Sequence, residues 1–239
     1  MLKLIHADFY KVFHRLYFYI LTVVLAGLCL TMIFAMRGGS SACASESIKL
    51  AISMFSMPVF ILPMITQIVF SEEYQSHTLK NTASFGTDRT VLFISKWITS
   101  ILLSVILAAV LLAVYMGSTM LVLKRDAAFN SAFIQMFFTR LGAACSVYLA
   151  CISMSVFLAA VLNRNAFAIF LYYALFYFTV YFLMLLRLGS ATKYLLKCSL
   201  DAIMQGPVTQ LQQPVIVSLV TTVVFFIGGA VLFRRKDLC

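Results

Sequence analysis

The chain has 239 residues, 63% hydrophobic and only 11% charged, with a formal net charge of +10. A soluble fold of that composition would expose apolar surface everywhere, so the solvent it implies is a lipid bilayer. Its basic residues are spread over every connection instead of being clustered with aromatics, which argues against nucleic acid and for anionic lipid as a partner.

In residues 1–15, Leu4, Ile5, Phe9, Val12 and Phe13 fall at helical spacings opposite Lys3, Lys11 and Arg15. This pattern predicts an amphipathic helix lying in the membrane interface. The first span, 16–36, contains no Asp, Glu, Lys or Arg. It is longer than the apolar core of a cleavable signal, so a retained anchor is favoured over processing at Ala42-Cys43-Ala44. Further apolar segments long enough to cross a ~30 Å hydrocarbon core are read at 50–70, 97–123, 141–162, 166–186 and 215–233. The expectation is an all-α, polytopic membrane protein with six transmembrane helices, forming one membrane domain over 1–239 with no separate catalytic module.

Six crossings put both termini on one side, and the basic ends, Lys3, Lys11 and Arg15 with Arg234, Arg235 and Lys236, argue that this side is the cytoplasm of a cell membrane. Pro58 and Pro63 predict a bend in the second span, read either as fixed shape or as a hinge, with shape favoured. Gly117, Ser118 and Thr119 in the third span suggest close helix approach. The fifth span carries an aromatic stripe that includes Tyr172, Tyr173, Phe176, Tyr177 and Tyr181. It reads either as packing, which is favoured, or as a substrate-lining wall formed by Tyr173, Tyr177 and Tyr181. The outer connection, 187–214, contains Tyr194, Leu195, Leu196, Leu200 and Ile203 on a segment that could dip into the outer leaflet, and Arg140 is placed to snorkel to the interface. Cys43 and Cys198 fall in outer connections, where a disulfide is conceivable but not favoured.

No G-x-x-x-x-G-K-[ST] loop is present, so ATP hydrolysis by the P-loop route is not expected of this chain, and neither a metal nor a bound cofactor is. The spans hold no buried acid or base suited to proton or sodium coupling. Glu72-Glu73 followed by His77 superficially resembles the paired-glutamate motif of CAAX-processing proteases, but the Arg and the later intramembrane histidines of that motif are missing.

The connection 71–96 is the one motif-like stretch. Glu72, Glu73 and Tyr74 read as the first turn of a short helix, where carboxylates suit the helix dipole. Thr78, Leu79 and Lys80 follow, then a turn at Gly86, and Arg89, Ser95 and Lys96 lead into the third span. This pattern resembles the first cytoplasmic loop of type-2 ABC exporter permeases, with His77 where that family commonly has Gly. The resemblance implies a coupling helix that docks on a cytosolic ATPase carrying ATP and Mg, through Glu72, Glu73, Tyr74, Thr78, Lys80, Arg89 and Lys96. It also implies a second cytoplasmic contact at Asn163, Arg164 and Asn165, and a second permease, identical or homologous. In length the chain is similar to bacterial permeases that export or clear peptide antibiotics, lantibiotic-immunity systems among them. A six-span carrier or scaffold outside this family, or an intramembrane enzyme, are the alternatives.

Overall fold

The computed structural model describes residues 1–38, 43–75, 88–126, 129–162, 165–189 and 191–235, with the backbone alone at 71–75, 165 and 235. Every regular element among them is helical: α1 (Leu2–Phe13), α2 (Leu16–Arg37), α3 (Ala44–Ser53), α4 (Met57–Gln75), α5 (Arg89–Val122), α6 (Ser131–Val161), α7 (Asn165–Tyr173), a π-helical turn (Ala174–Phe178), α8 (Thr179–Leu185), α9 (Leu196–Gln205) and α10 (Gln212–Arg235). Short 3-10 turns at Ala191–Tyr194 and Val208–Gln210 flank α9.

Among the described residues, five helical runs are long and apolar enough to cross a membrane: Leu16–Arg37, Arg89–Val122, Ser131–Val161, Ala166–Leu185 and Val208–Arg234. The span read at 50–70 is bent, as its prolines predict, but it starts earlier: Ala44–Ser53 and Met57–Phe70 together have the length and composition of a sixth span, with a bend of 57° between them. The bend falls just before Pro58, whose missing N–H is tolerated in the first turn of α4 but could not continue α3. Alpha-helical rise makes the 34 residues of α5 about 51 Å long, well beyond a ~30 Å hydrocarbon core. The surplus at its start is the segment 89–96, which sequence alone assigned to a loop.

At the centre stands α6, buried through Ala144, Val147, Ala150, Cys151, Val156 and Ala160. Small residues on it let α4 and α10 pack closely. Gly117 does not serve close approach, because a Cβ there would meet nothing within 4 Å. That role falls to Gly229 of α10, where a Cβ would stand 2.5 Å from Cζ of Phe93, a ring buried in α5.

Two features organise the end of the bundle that holds the starts of α3 and α6 and the connection 187–211. The N-terminus of α3 is held by Asp126, whose carboxylate accepts from the Ser45 N–H at 3.3 Å and from the Ser45 hydroxyl at 2.5 Å. Those donors hold the Asp126 carboxyl below its ordinary range, chiefly through the Ser45 hydroxyl. Helix α9 does not dip into lipid by its apolar face. Leu196, Leu200 and Ile203 are buried against α6 and α10 instead, while Tyr194 stays exposed. Arg140 explains the difference: it does not snorkel but donates to the carbonyls of Ile203, Met204 (2.9 Å) and Gly206 (2.8 Å), closing the C-terminus of α9. Cys43 and Cys198 are both free thiols.

Candidate functional site

Helix α1 forms as its periodicity requires, with Lys3, His6, Tyr10 and Lys11 facing outward and Asp8 and Val12 buried. It packs on α5. At that contact Lys96 Nζ donates to Asp8 Oδ1 at 2.7 Å, with both side chains less than a tenth exposed. Burial of two charges is tolerated only with tight pairing. Lys96, expected at the ATPase surface, is therefore directed inward and fastens the interfacial helix to the projecting start of α5.

Beside it, Arg89 opens α5 after Asp88, and its guanidinium lies 3.4 Å from the carbonyl of Arg234 near the end of α10. One face of the bundle thus gathers α1, the start of α5 and the end of α10. The antiparallel course of α4 brings Gln75 to the same side. Glu72, Glu73 and Tyr74 are helical, but they do not begin a helix. They are the last residues of α4, which runs unbroken from Met57, because no Gly, Pro or Asn interrupts the sequence between Pro63 and Gln75. Thr78, Lys80, Asn163 and Arg164 lie outside the described residues, and Asn165 is the first residue of α7.

The aromatic stripe of the fifth span divides. Tyr172 is fully buried and donates to the Val59 carbonyl at 3.1 Å, and Tyr173 donates to the Phe60 carbonyl at 2.7 Å. Tyr177 stacks on Phe60 with ring centroids 5.2 Å apart. Tyr181, 64% exposed, stands with Phe178 and Phe182 on the exposed side of the π turn and α8. Of the candidate pathway residues, then, Tyr173 and Tyr177 are engaged with α4 and Tyr181 alone is open.

Residues 4–181 match the family described as ABC-2 family transporter protein. The chain belongs to the ABC-2 transporter family. No curated protein matches it closely. The match takes in α1 to the π turn and the first residues of α8, hence the whole assembly of α1, α4 and α5 just described. As an ABC-2 permease it is the membrane subunit of an ABC transporter and is not itself the catalytic one, and membership implies partnership with an ABC ATPase. No group of His, Cys, Asp and Glu among its described residues is arranged to hold a metal ion.

Two features of this site escaped the sequence reading. Asp8 lies four residues after Leu4 and four before Val12, inside the apolar stripe of α1, and an acid in that register calls for a buried partner. Lys96 sits between Leu92 and Ser100 on the inward stripe of α5, a position that carried the complementary signal.

Proposed function

We propose that this ABC-2 permease is one half of an exporter, paired with a second permease and driven by two cytosolic ABC ATPase subunits that carry ATP and Mg. The face that gathers α1, the ends of α4 and α10 and the start of α5 is turned to the cytoplasm of a cell membrane, with both termini on it. There Glu72, Glu73, Tyr74, Thr78, Lys80 and Arg89 engage the ATPase, and the turn of Asn163, Arg164 and Asn165 supplies a second contact. Lys96 acts from behind this surface, by holding α1.

The observation that carries this reading is that the family match, 4–181, contains the whole 71–96 segment together with both helices that flank it. The resemblance of that segment to exporter loops supports the outward direction. A peptide antibiotic or another amphipathic substrate suits the exposed aromatic side of Phe178, Tyr181 and Phe182, which a substrate could reach from the lipid. Ion-gradient coupling finds little support, since among the described residues the buried Asp, Glu, Lys and Arg are Asp8 and Lys96, at one end of the bundle.

Co-expression with its cognate ABC ATPase tests the assignment. The two chains should purify as one complex, and ATP turnover should require the ATPase subunit. Turnover by the isolated permease, or failure to associate with an ABC ATPase, would end the reading.

A further inference from the structure

Pro63 sits inside α4 and has no N–H, so the carbonyl of Val59, four residues earlier, loses its helical donor. In a bilayer such a carbonyl needs a replacement partner, at a cost of several kcal/mol if it has none. Val59 is fully buried, and Tyr172 supplies the donor at 3.1 Å. The neighbouring carbonyl of Phe60 receives the Tyr173 hydroxyl at 2.7 Å, while the Phe60 ring packs on Tyr173 at 5.7 Å and on Tyr177 at 5.2 Å. Directly after these tyrosines the helix widens into the π turn Ala174–Phe178, a local irregularity often found at functional positions. The irregular turns of two spans therefore meet at one crossing, joined by two hydroxyl-to-carbonyl bonds.

We propose that Tyr172 and Tyr173 are positioning residues for coupling: by bonding the carbonyls beside Pro63 they fix the course of α4 through that turn and hence the placement of its far end, which carries Glu72 and Glu73. The inference rests on the reading of that end as ATPase-facing. From Pro63 to Gln75 the helix runs about 18 Å, so a change of roughly 10° in its direction at Pro63 moves its end by about 3 Å. A shift of that size is enough to misplace a docking surface. Neither tyrosine lies in the docking segment, so both act through α4.

The experiment uses the permease assembled with its ATPase in lipid nanodiscs, with the wild type beside Y172F/Y173F, P63A and the triple variant. Y172F/Y173F should retain assembly while permease-dependent ATP turnover changes roughly three- to thirty-fold. The separation of spin labels at Gln75 and Arg235 should shift by about 3 Å, from the length of helix beyond Pro63. Pro63→Ala returns an N–H to the Val59 carbonyl, so the triple variant should recover thermal stability without recovering turnover, because the helix course set by the two tyrosines is not restored. Wild-type turnover and label distance in Y172F/Y173F would overturn the proposal, as would recovery of turnover together with stability in the triple variant. Failure of the ATPase reading itself shows separately, as a wild-type permease that assembles with no ATPase.

Discussion

Asp8→Asn and Lys96→Met, each alone, are expected to destabilise the detergent-solubilised permease by about 3–5 kcal/mol, the range for breaking a buried ion pair by removal of one partner. The two groups meet at 2.7 Å and are 7% and 4% exposed at their side chains, so neither can recover its lost solvation in place. The apolar double variant Asp8→Leu with Lys96→Met should regain most of the loss, because replacing both charges removes the desolvation cost along with the attraction. Thermal unfolding followed by size-exclusion chromatography measures this. A double variant as unstable as the sum of the two singles would show that the pair does not act as a unit. A surface origin for the pair would instead give single effects under about 1 kcal/mol.

Arg140→Ala is expected to cost about 3 kcal/mol and to loosen the outer segment selectively. Its guanidinium serves the carbonyls of Ile203, Met204 and Gly206, and a charge-assisted hydrogen bond contributes roughly 1.5–3 kcal/mol, with a further share from the negative end of the α9 dipole. Arg140→Lys should fall between, since an ammonium offers three donors but not the planar fork that spans carbonyls on successive residues. Hydrogen exchange should accelerate at 191–211 and stay unchanged in α4 and α5. Unchanged exchange in α9 would show that the helix is held by Leu196, Leu200 and Ile203 without the cap.

The legible part of this fold is the part that depends on composition over long windows. Residues 16–36 had no charge to interrupt them, and α2 occupies Leu16–Arg37. Helix α3 was missed because its sequence, with Ser45, Glu46, Ser47 and Lys49, reads as a polar connection. Its polar side chains find their partners far along the chain: Ser45 at Asp126, and Ser47 at Tyr115 and Thr119, both at 3.0 Å. Contacts separated by 68 to 81 residues leave no local signature. For the same reason the aromatic stripe could be recognised as packing, but not as a pair of donors serving the carbonyls beside Pro63.

At the candidate site the charges single out 71–96 in the sequence, and the structure corrects the start of its helix: Glu72 to Tyr74 end α4 and do not open a new helix. Hydrophobicity falls after Phe70, and that fall suggested a new helix at Glu72. Backbone geometry follows breakers and not polarity, and α4 continues to Gln75. Lys96 illustrates the opposite error: a charge close to a predicted membrane boundary was read as facing water, although its helical register placed it among buried neighbours. Register and partner, more than residue type, separate the exposed charge at Asp88 from the buried one at Lys96.

A separate ATPase is expected to dock on the face where the start of α5 meets α1 and the end of α10. A photo-crosslinking amino acid at Asp88, the exposed residue preceding α5, tests it directly in cells that co-express the ATPase, with Gln210 on the opposite face as the control. A covalent adduct between permease and ATPase is expected from position 88 and none from position 210. An adduct from 210, or none from 88 while the two chains still co-purify, would contradict it.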